Sequence, residues 1–182
     1  MGVKRRVVAV VFSVVALVGA GAEAGAQRKD REPADVARPV AGGPVAGAPE
    51  LVLVADDGGD RATGTGDFVV QAVNLPFNFS FDFTTSLASR TFWPSLLGRA
   101  CVSLRGTGST DSSYWWREVK VEMWNAFGSD TRIGSPVRFS LNGSYHGYCW
   151  NGLVPLHEHY FRITKDWNAG ARVWGNGWAS AS

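Results

Sequence analysis

Three histidines, two cysteines, scattered carboxylates and eight tryptophans are the residues of this 182-residue chain that could do chemistry. Two of the histidines, His157 and His159, stand one residue apart in "LHEHYFRI". In an extended strand, residues i and i+2 point the same way. His157 and His159 would then share a side with Phe161, Ile163 and Trp167, while Glu158, Tyr160, Arg162 and Asp166 share the other. As metal ligands the two imidazoles fall short. A zinc site needs three or four donors converging at about 2 Å, and nothing in the spacing brings His146 to them. No HExxH pattern is present. His157 and His159 therefore remain candidate ligands by residue type alone. The expectation is rim histidines that hydrogen-bond locally, with no metal and no cofactor.

Nucleophilic and acid–base chemistry have equally thin signatures. The string nearest to a nucleophile elbow, "GSYHG" at Gly143–Gly147, has its serine one place early. Ser144 and His146 would share a strand face, but they read as polar residues flanking a hairpin. The carboxylates Asp82, Asp111, Glu118, Glu122, Asp130, Glu158 and Asp166 could supply a glycosidase pair only if the fold brought two of them within several ångströms. The sequence marks out no such pair.

Tryptophan placement is more informative. In "ARVWGNGW", Arg172, Trp174, Asn176 and Trp178 fall on one strand face, and Val173, Gly175 and Gly177 on the other. Flat rings beside an amide and a guanidinium can stack on a sugar ring and hydrogen-bond its hydroxyls. These four are the candidate ligand-binding residues. The competing reading is packing, because large rings are mostly buried and often cover glycines on a neighbouring strand. A second row lies in "YWWREVKVEMW". Here Trp115, Val119, Val121 and Met123 form an apolar side, and Trp116, Glu118, Lys120, Glu122 and Trp124 a charged one. Trp116 and Trp124 would stand roughly 26 Å apart along a strand. They are expected to act separately, each packed beneath a loop.

The elements that must position these groups are strands. In "PFNFSFDFT", Phe77, Phe79, Phe81 and Phe83 alternate with polar residues, a period of two. Pro76 lacks a ladder donor, which signals an edge or a break from the preceding "FVVQAV". Further short apolar runs follow between turn signals, among them Asn-Gly at Asn142 and Asn151, each read as a hairpin signal. Apart from a short segment around Ser95–Gly98, no amphipathic helix is evident. The expected fold is all-β, an antiparallel β-sandwich of jelly-roll or immunoglobulin-like type with seven to eight strands. The immunoglobulin signature itself fails, because Gly147 stands where a tyrosine would precede the second cysteine. Cys101 and Cys149 are expected to form one disulfide. Val102 and Leu104 look interior, which turns Cys101 outward.

The amino-terminal third differs in kind. Residues 1–26 combine a basic start (Lys4, Arg5, Arg6), an apolar run from Val7 to Gly19, and small residues. That is the layout of a secretory signal peptide, and its run is too short to span a bilayer. Residues 27–66, rich in Ala, Gly, Pro and charge, read as a flexible linker, with the short "LVLVAD" as the one run that could pair with an edge strand. Residues 67–182 read as one compact domain. The chain has 18 Lys and Arg against 16 Asp and Glu; the signal takes three basic residues and one acidic, leaving 15 against 15. No clustered basic footprint remains, which argues against nucleic-acid binding. These features imply a secreted, extracellular protein with no stable membrane anchor. The favoured reading is a non-catalytic binding module presenting aromatic side chains to a polysaccharide or a cell-envelope component. A small secreted hydrolase and a structural or inhibitory β protein are the alternatives.

Overall fold

A computed structural model describes residues 35–55 and 72–182. The expected signal peptide, residues 1–26, lies outside them, as do 27–34 and 56–71. The described chain is nearly all β. Its strands are β1 (Arg38–Pro39), β2 (Glu50–Val52), β3 (Val54–Ala55), β4 (Val73–Asn74), β5 (Phe77–Phe83), β6 (Ser86–Ala88), β7 (Phe92–Trp93), β8 (Ala100–Ser109), β9 (Glu118–Asn125), β10 (Thr131–Ser140), β11 (His146–Trp150), β12 (His159–Thr164) and β13 (Val173–Ser180). One 3-10 turn covers Tyr114–Trp116.

The strands form two sheets. The first has the order β1-β11-β8-β13-β5-β2; the second has β10-β9-β12-β6-β3, with β7 on β12 and β4 on β7. The long strands pair antiparallel, but β2 runs parallel to β5 and β4 parallel to β7. Both sheets are therefore mixed, and the strands outnumber the seven or eight expected. The extra ones are two or three residues long, too short to carry an alternation that a sequence could display.

Three of those short strands correct the reading of residues 27–66 as a linker. β1 pairs with β11, β2 with β5 and β3 with β6, so residues 35–55 belong to the body of the fold. Their composition supplies little apolar bulk, and backbone hydrogen bonds to strands already in place order them instead. Ala37 and Leu53 are nonetheless buried in the shared core, and Leu51 packs against it.

That core lies where the apolar faces of the two sheets meet. Phe77, Phe79, Phe81 and Phe83 of β5 are all buried, as the period of two predicts. Across the gap, Phe161 of β12 stacks on Phe77 with centroids 6.4 Å apart and approaches Phe79 to 5.1 Å. Val119, Val121 and Met123 of β9 face the same interior. Gly175 and Gly177 on the inner face of β13 leave room for the rings of Phe81 and Phe79, which a β-carbon would meet at 2.4 and 2.5 Å.

Most of the turns do not join neighbouring strands. Asn142-Gly143 links β10 in the second sheet to β11 in the first, and Asn151-Gly152 returns the chain from β11 to β12. Both carry the sequence signal of a hairpin; each is a crossing between sheets. Of the turn signals read from the sequence, the one after β9 does close a hairpin, onto β10. Pro76 marks another crossing, from β4 in the second sheet to β5 in the first.

The cysteines do form a disulfide, Cys101–Cys149. The two residues are direct cross-strand partners on β8 and β11, with Cα atoms 4.0 Å apart. Val102 and Leu104 are fully buried toward the core, so the bridge lies on the opposite, outward side of the first sheet.

Candidate ligand-binding site

The segment between β8 and β9 is drawn against the chain leading into β13. The Thr110 amide donates to the Arg172 carbonyl at 3.0 Å, and the Arg172 amide donates to Thr110 Oγ1 at 2.9 Å. Asp111 then starts a tight turn: its Oδ1 accepts from the Ser113 amide and hydroxyl, and its Oδ2 from the Asn168 side chain. These donors, Asn168 foremost and then Ser113, lower its carboxyl pKa to about 2. The turn continues through Tyr114–Trp116, closed by the Arg117 amide on the Tyr114 carbonyl. β9 therefore starts at Glu118 and not at Tyr114. The expected alternation holds from Glu118 onward, while Trp115 and Trp116 leave the sheet.

Both indoles then border an open cleft of about 400 Å³, with Arg117, Glu118, Ser140, Asn142, Asp166 and Trp167 as its other walls. Trp116 is 90% exposed, so among the described residues no loop covers it as expected. Trp115 is half exposed, leans on Tyr114 with centroids 4.7 Å apart, and rests against Gly143. Trp167 is fixed from three sides. Its indole N–H donates to the Glu118 carbonyl at 2.7 Å, the Lys165 ammonium sits 4.9 Å from its ring centroid, and Arg117 lies 5.8 Å away on the ring. Lys165 also donates to the Trp167 carbonyl, and its burial lowers its pKa.

The cleft brings two of the scattered carboxylates to one wall. Asp166 pairs with Lys120 at 2.6 Å, and Glu118 with Arg138 at 3.3 Å. The hydrogen bond from Lys120 holds the Asp166 carboxyl below its ordinary pKa. A general acid needs the opposite shift.

The row on β13 has the predicted parity but divides into two halves. Asn176 Oδ1 accepts from Arg105 Nε at 3.1 Å and from the Tyr145 hydroxyl at 3.0 Å. The Tyr145 ring in turn meets Trp178 edge-on with centroids 4.8 Å apart. Asn176 and Trp178 are thus engaged within the protein. Arg172 and Trp174 remain at the surface, lining a second cleft of about 520 Å³ with Val52, Ser80, Phe81, Asp82 and Gly175. Arg172 Nε donates to Asp82 at 2.6 Å. The Trp174 indole lies on Gly108, where a β-carbon would come within 2.3 Å of the ring.

The histidines do not converge. His159 opens β12, is fully buried and hydrogen-bonds through Nδ1 to the His157 carbonyl at 2.8 Å. Desolvation lowers its pKa. His157 precedes the strand, where Asn125 Nδ2 meets its Nδ1 and Phe127 stacks on its ring at 4.2 Å. Strand parity therefore describes His159 and does not extend to His157. His146 Nδ1 meets the carbonyl oxygen of Ser144, not its hydroxyl. Among the described residues, no three His, Cys, Asp or Glu side chains gather to hold a metal ion, and no helix is long and apolar enough to cross a membrane.

Compared with protein-family models and with curated proteins, the sequence matches none of either.

Proposed function

We propose that this chain is an exported, non-catalytic binding module, a β-sandwich of jelly-roll or immunoglobulin-like kind that holds a saccharide on Trp115 and Trp116. The observation that carries the reading is the exposure of the Trp116 indole beside a concave wall of hydrogen-bonding groups. A tryptophan kept in water needs a reason, and a ring that covers the apolar face of a sugar supplies one. Ser140, Asn142, Glu118 and Asp166 present acceptors and donors to a sugar's hydroxyls beside the indoles, in a cleft lined mostly by polar groups. Consecutive strands that alternate between two facing sheets support the sandwich reading. A role for the tryptophans in the core alone leaves Trp116 unaccounted for. The lowered pKa of Asp166 disfavours it as a general acid. Arg172 and Trp174 offer a second candidate surface, lining a separate cleft.

The test is sedimentation of the purified protein with insoluble glucan, chitin or peptidoglycan. Wild type is expected to sediment with one of them, and Trp116→Ala to lose about tenfold or more in affinity, the loss typical of an exposed tryptophan anchor. Trp174→Ala and Trp178→Ala separate the β13 row from the cleft. Failure of wild type to bind any of the three, or binding by Trp116→Ala equal to wild type, overturns the reading.

A further inference from the structure

Asparagine followed by glycine is a peptide sequence able to modify itself, and this chain has three such pairs: Asn142-Gly143, Asn151-Gly152 and Asn176-Gly177. The glycine amide nitrogen attacks Cγ of the asparagine side chain and closes a five-membered succinimide. The amide proton passes to solvent, and the side-chain nitrogen leaves as ammonia. One water then opens the ring at either carbonyl, giving aspartate or isoaspartate. Glycine favours the step because it has no β-carbon to obstruct the approach. The attacking amide must still be unbonded, and the asparagine side chain free to turn onto it.

The fold withholds those conditions from two of the pairs. Gly177 lies within β13, paired with Leu104 of β8 on one side and Phe79 of β5 on the other. Asn176 Oδ1 is held by Arg105 Nε and by the Tyr145 hydroxyl. Asn142 stands between strands, but its Oδ1 accepts from the Ser144 amide at 3.1 Å, and Gly143 is pressed against the Trp115 ring.

Asn151-Gly152 differs on each count. Both residues are exposed. Among the described residues, no hydrogen bond holds the Asn151 side chain or the Gly152 amide. A β-carbon at Gly152 would meet nothing within 4 Å. The flanks, by contrast, are fixed: Trp150 pairs with Ala100 of β8, and the Leu153 amide donates to the Gly98 carbonyl at 2.9 Å. The corner is thus free to close on itself while the chain on either side stays in place.

We propose that Asn151 is a site of spontaneous deamidation in the folded protein, reacting through a succinimide with Gly152 while Asn142 and Asn176 are spared. The product adds a negative charge to the crossing between β11 and β12. In its isoaspartyl form it also lengthens the main chain by a methylene, beside a seam without slack, since a β-carbon at Gly98 would collide with the Leu153 carbonyl oxygen. The modification does not depend on saccharide binding.

Incubation of the full chain in warm, mildly alkaline buffer tests this, followed by chymotryptic peptide mapping, which separates the first two pairs by cutting at Tyr145, Tyr148 and Trp150. Mass spectrometry reads the exchange of amide for acid, and fragmentation distinguishes isoaspartyl from aspartyl products. The peptide carrying Asn151 is expected to accumulate both, faster as pH rises, because the attacking amide must give up its proton. Asn142 and Asn176 are expected to convert at least about tenfold more slowly, since they react only after local opening. In denaturant with the disulfide reduced, the three pairs should convert at similar rates, which shows that the fold sets the order. Asn151→Gln, an exposed substitution that would have to close a six-membered ring, should remove the early acidic species and leave melting unchanged. Conversion of Asn142 or Asn176 in the folded chain as fast as Asn151 overturns the proposal. So does an Asn151 that reacts in the unfolded chain and not in the folded one.

Discussion

Gly143 lies directly beneath the indole of Trp115: a β-carbon at Gly143 would come within 2.4 Å of the ring. The same glycine has φ +80°, a backbone region that a side chain disfavours. One residue therefore sets both the corner between β10 and β11 and the seat of an indole in the cleft. Gly143→Ala is expected to cost about 1–2 kcal/mol from the left-handed backbone, and to push Trp115 from its seat. Thermal melting checks the first effect. A fall in saccharide affinity that exceeds that of an exposed-surface control checks the second.

The disulfide joins strands that are already neighbours, so its removal should loosen the pairing of β8 with β11 without rearranging the sheet. Its ends are 48 residues apart in sequence, and chain-entropy reasoning then gives about 4 kcal/mol, an upper figure that native strain and residual structure reduce. The Cys101→Ser, Cys149→Ser double variant is expected to remain folded with stability lower by about 2–4 kcal/mol. Denaturant unfolding measures it, and addition of reductant to wild type should reproduce the shift.

Phe161 touches Phe77, Phe79 and Phe92, with centroids between 5.1 and 6.4 Å, and so couples the second sheet to the first. Phe161→Ala leaves a cavity between sheets that have little freedom to close, and is expected to cost about 3–5 kcal/mol. Phe161→Leu keeps most of the volume and should cost under about 1.5 kcal/mol. Equilibrium unfolding of the pair compares them. Equal losses would mean that the sheets close over the gap.

The alternation of Phe77, Phe79, Phe81 and Phe83 was legible because an unbroken strand imposes one parity on every side chain. The same logic gave the outward turn of Cys101 and the division of β13 into a glycine face and a tryptophan face. It failed at Trp115 and Trp116 because hydrogen bonds donated by Ser113 to the Asp111 carboxylate start a turn there, and β-rich composition conceals a turn of three residues. For residues 35–55 it offered only "LVLVAD" as a run able to pair with an edge strand, because strands of two or three residues show little alternation and take their partners from far along the chain. Asn-Gly marked turns correctly at Gly143 and Gly152. Local chemistry sets the bend, but packing decides which sheet receives the next strand.

His159 makes a last prediction, because burial without full hydrogen bonding ties its protonation to stability. Its Nδ1 meets the His157 carbonyl, while among the described residues nothing partners Nε2. Desolvation therefore holds its folded pKa below the ordinary 6.5. Above pH 6.5 the imidazole is neutral in both the folded and the unfolded chain, and its contribution to stability is complete. As pH falls below 6.5, the unfolded chain takes up a proton that the folded one resists, so stability drops by up to about 1.4 kcal/mol per pH unit until the folded pKa is reached. Asp111 and Asp166, whose pKa values are lowered from 3.8, begin to lose their contributions only below that value, leaving a window from about pH 6.5 to 5 in which their losses do not intrude. Melting temperatures of wild type are expected to fall across this window, and those of His159→Gln to stay nearly level. Parallel declines in the two proteins would show that the buried imidazole is not the group being titrated.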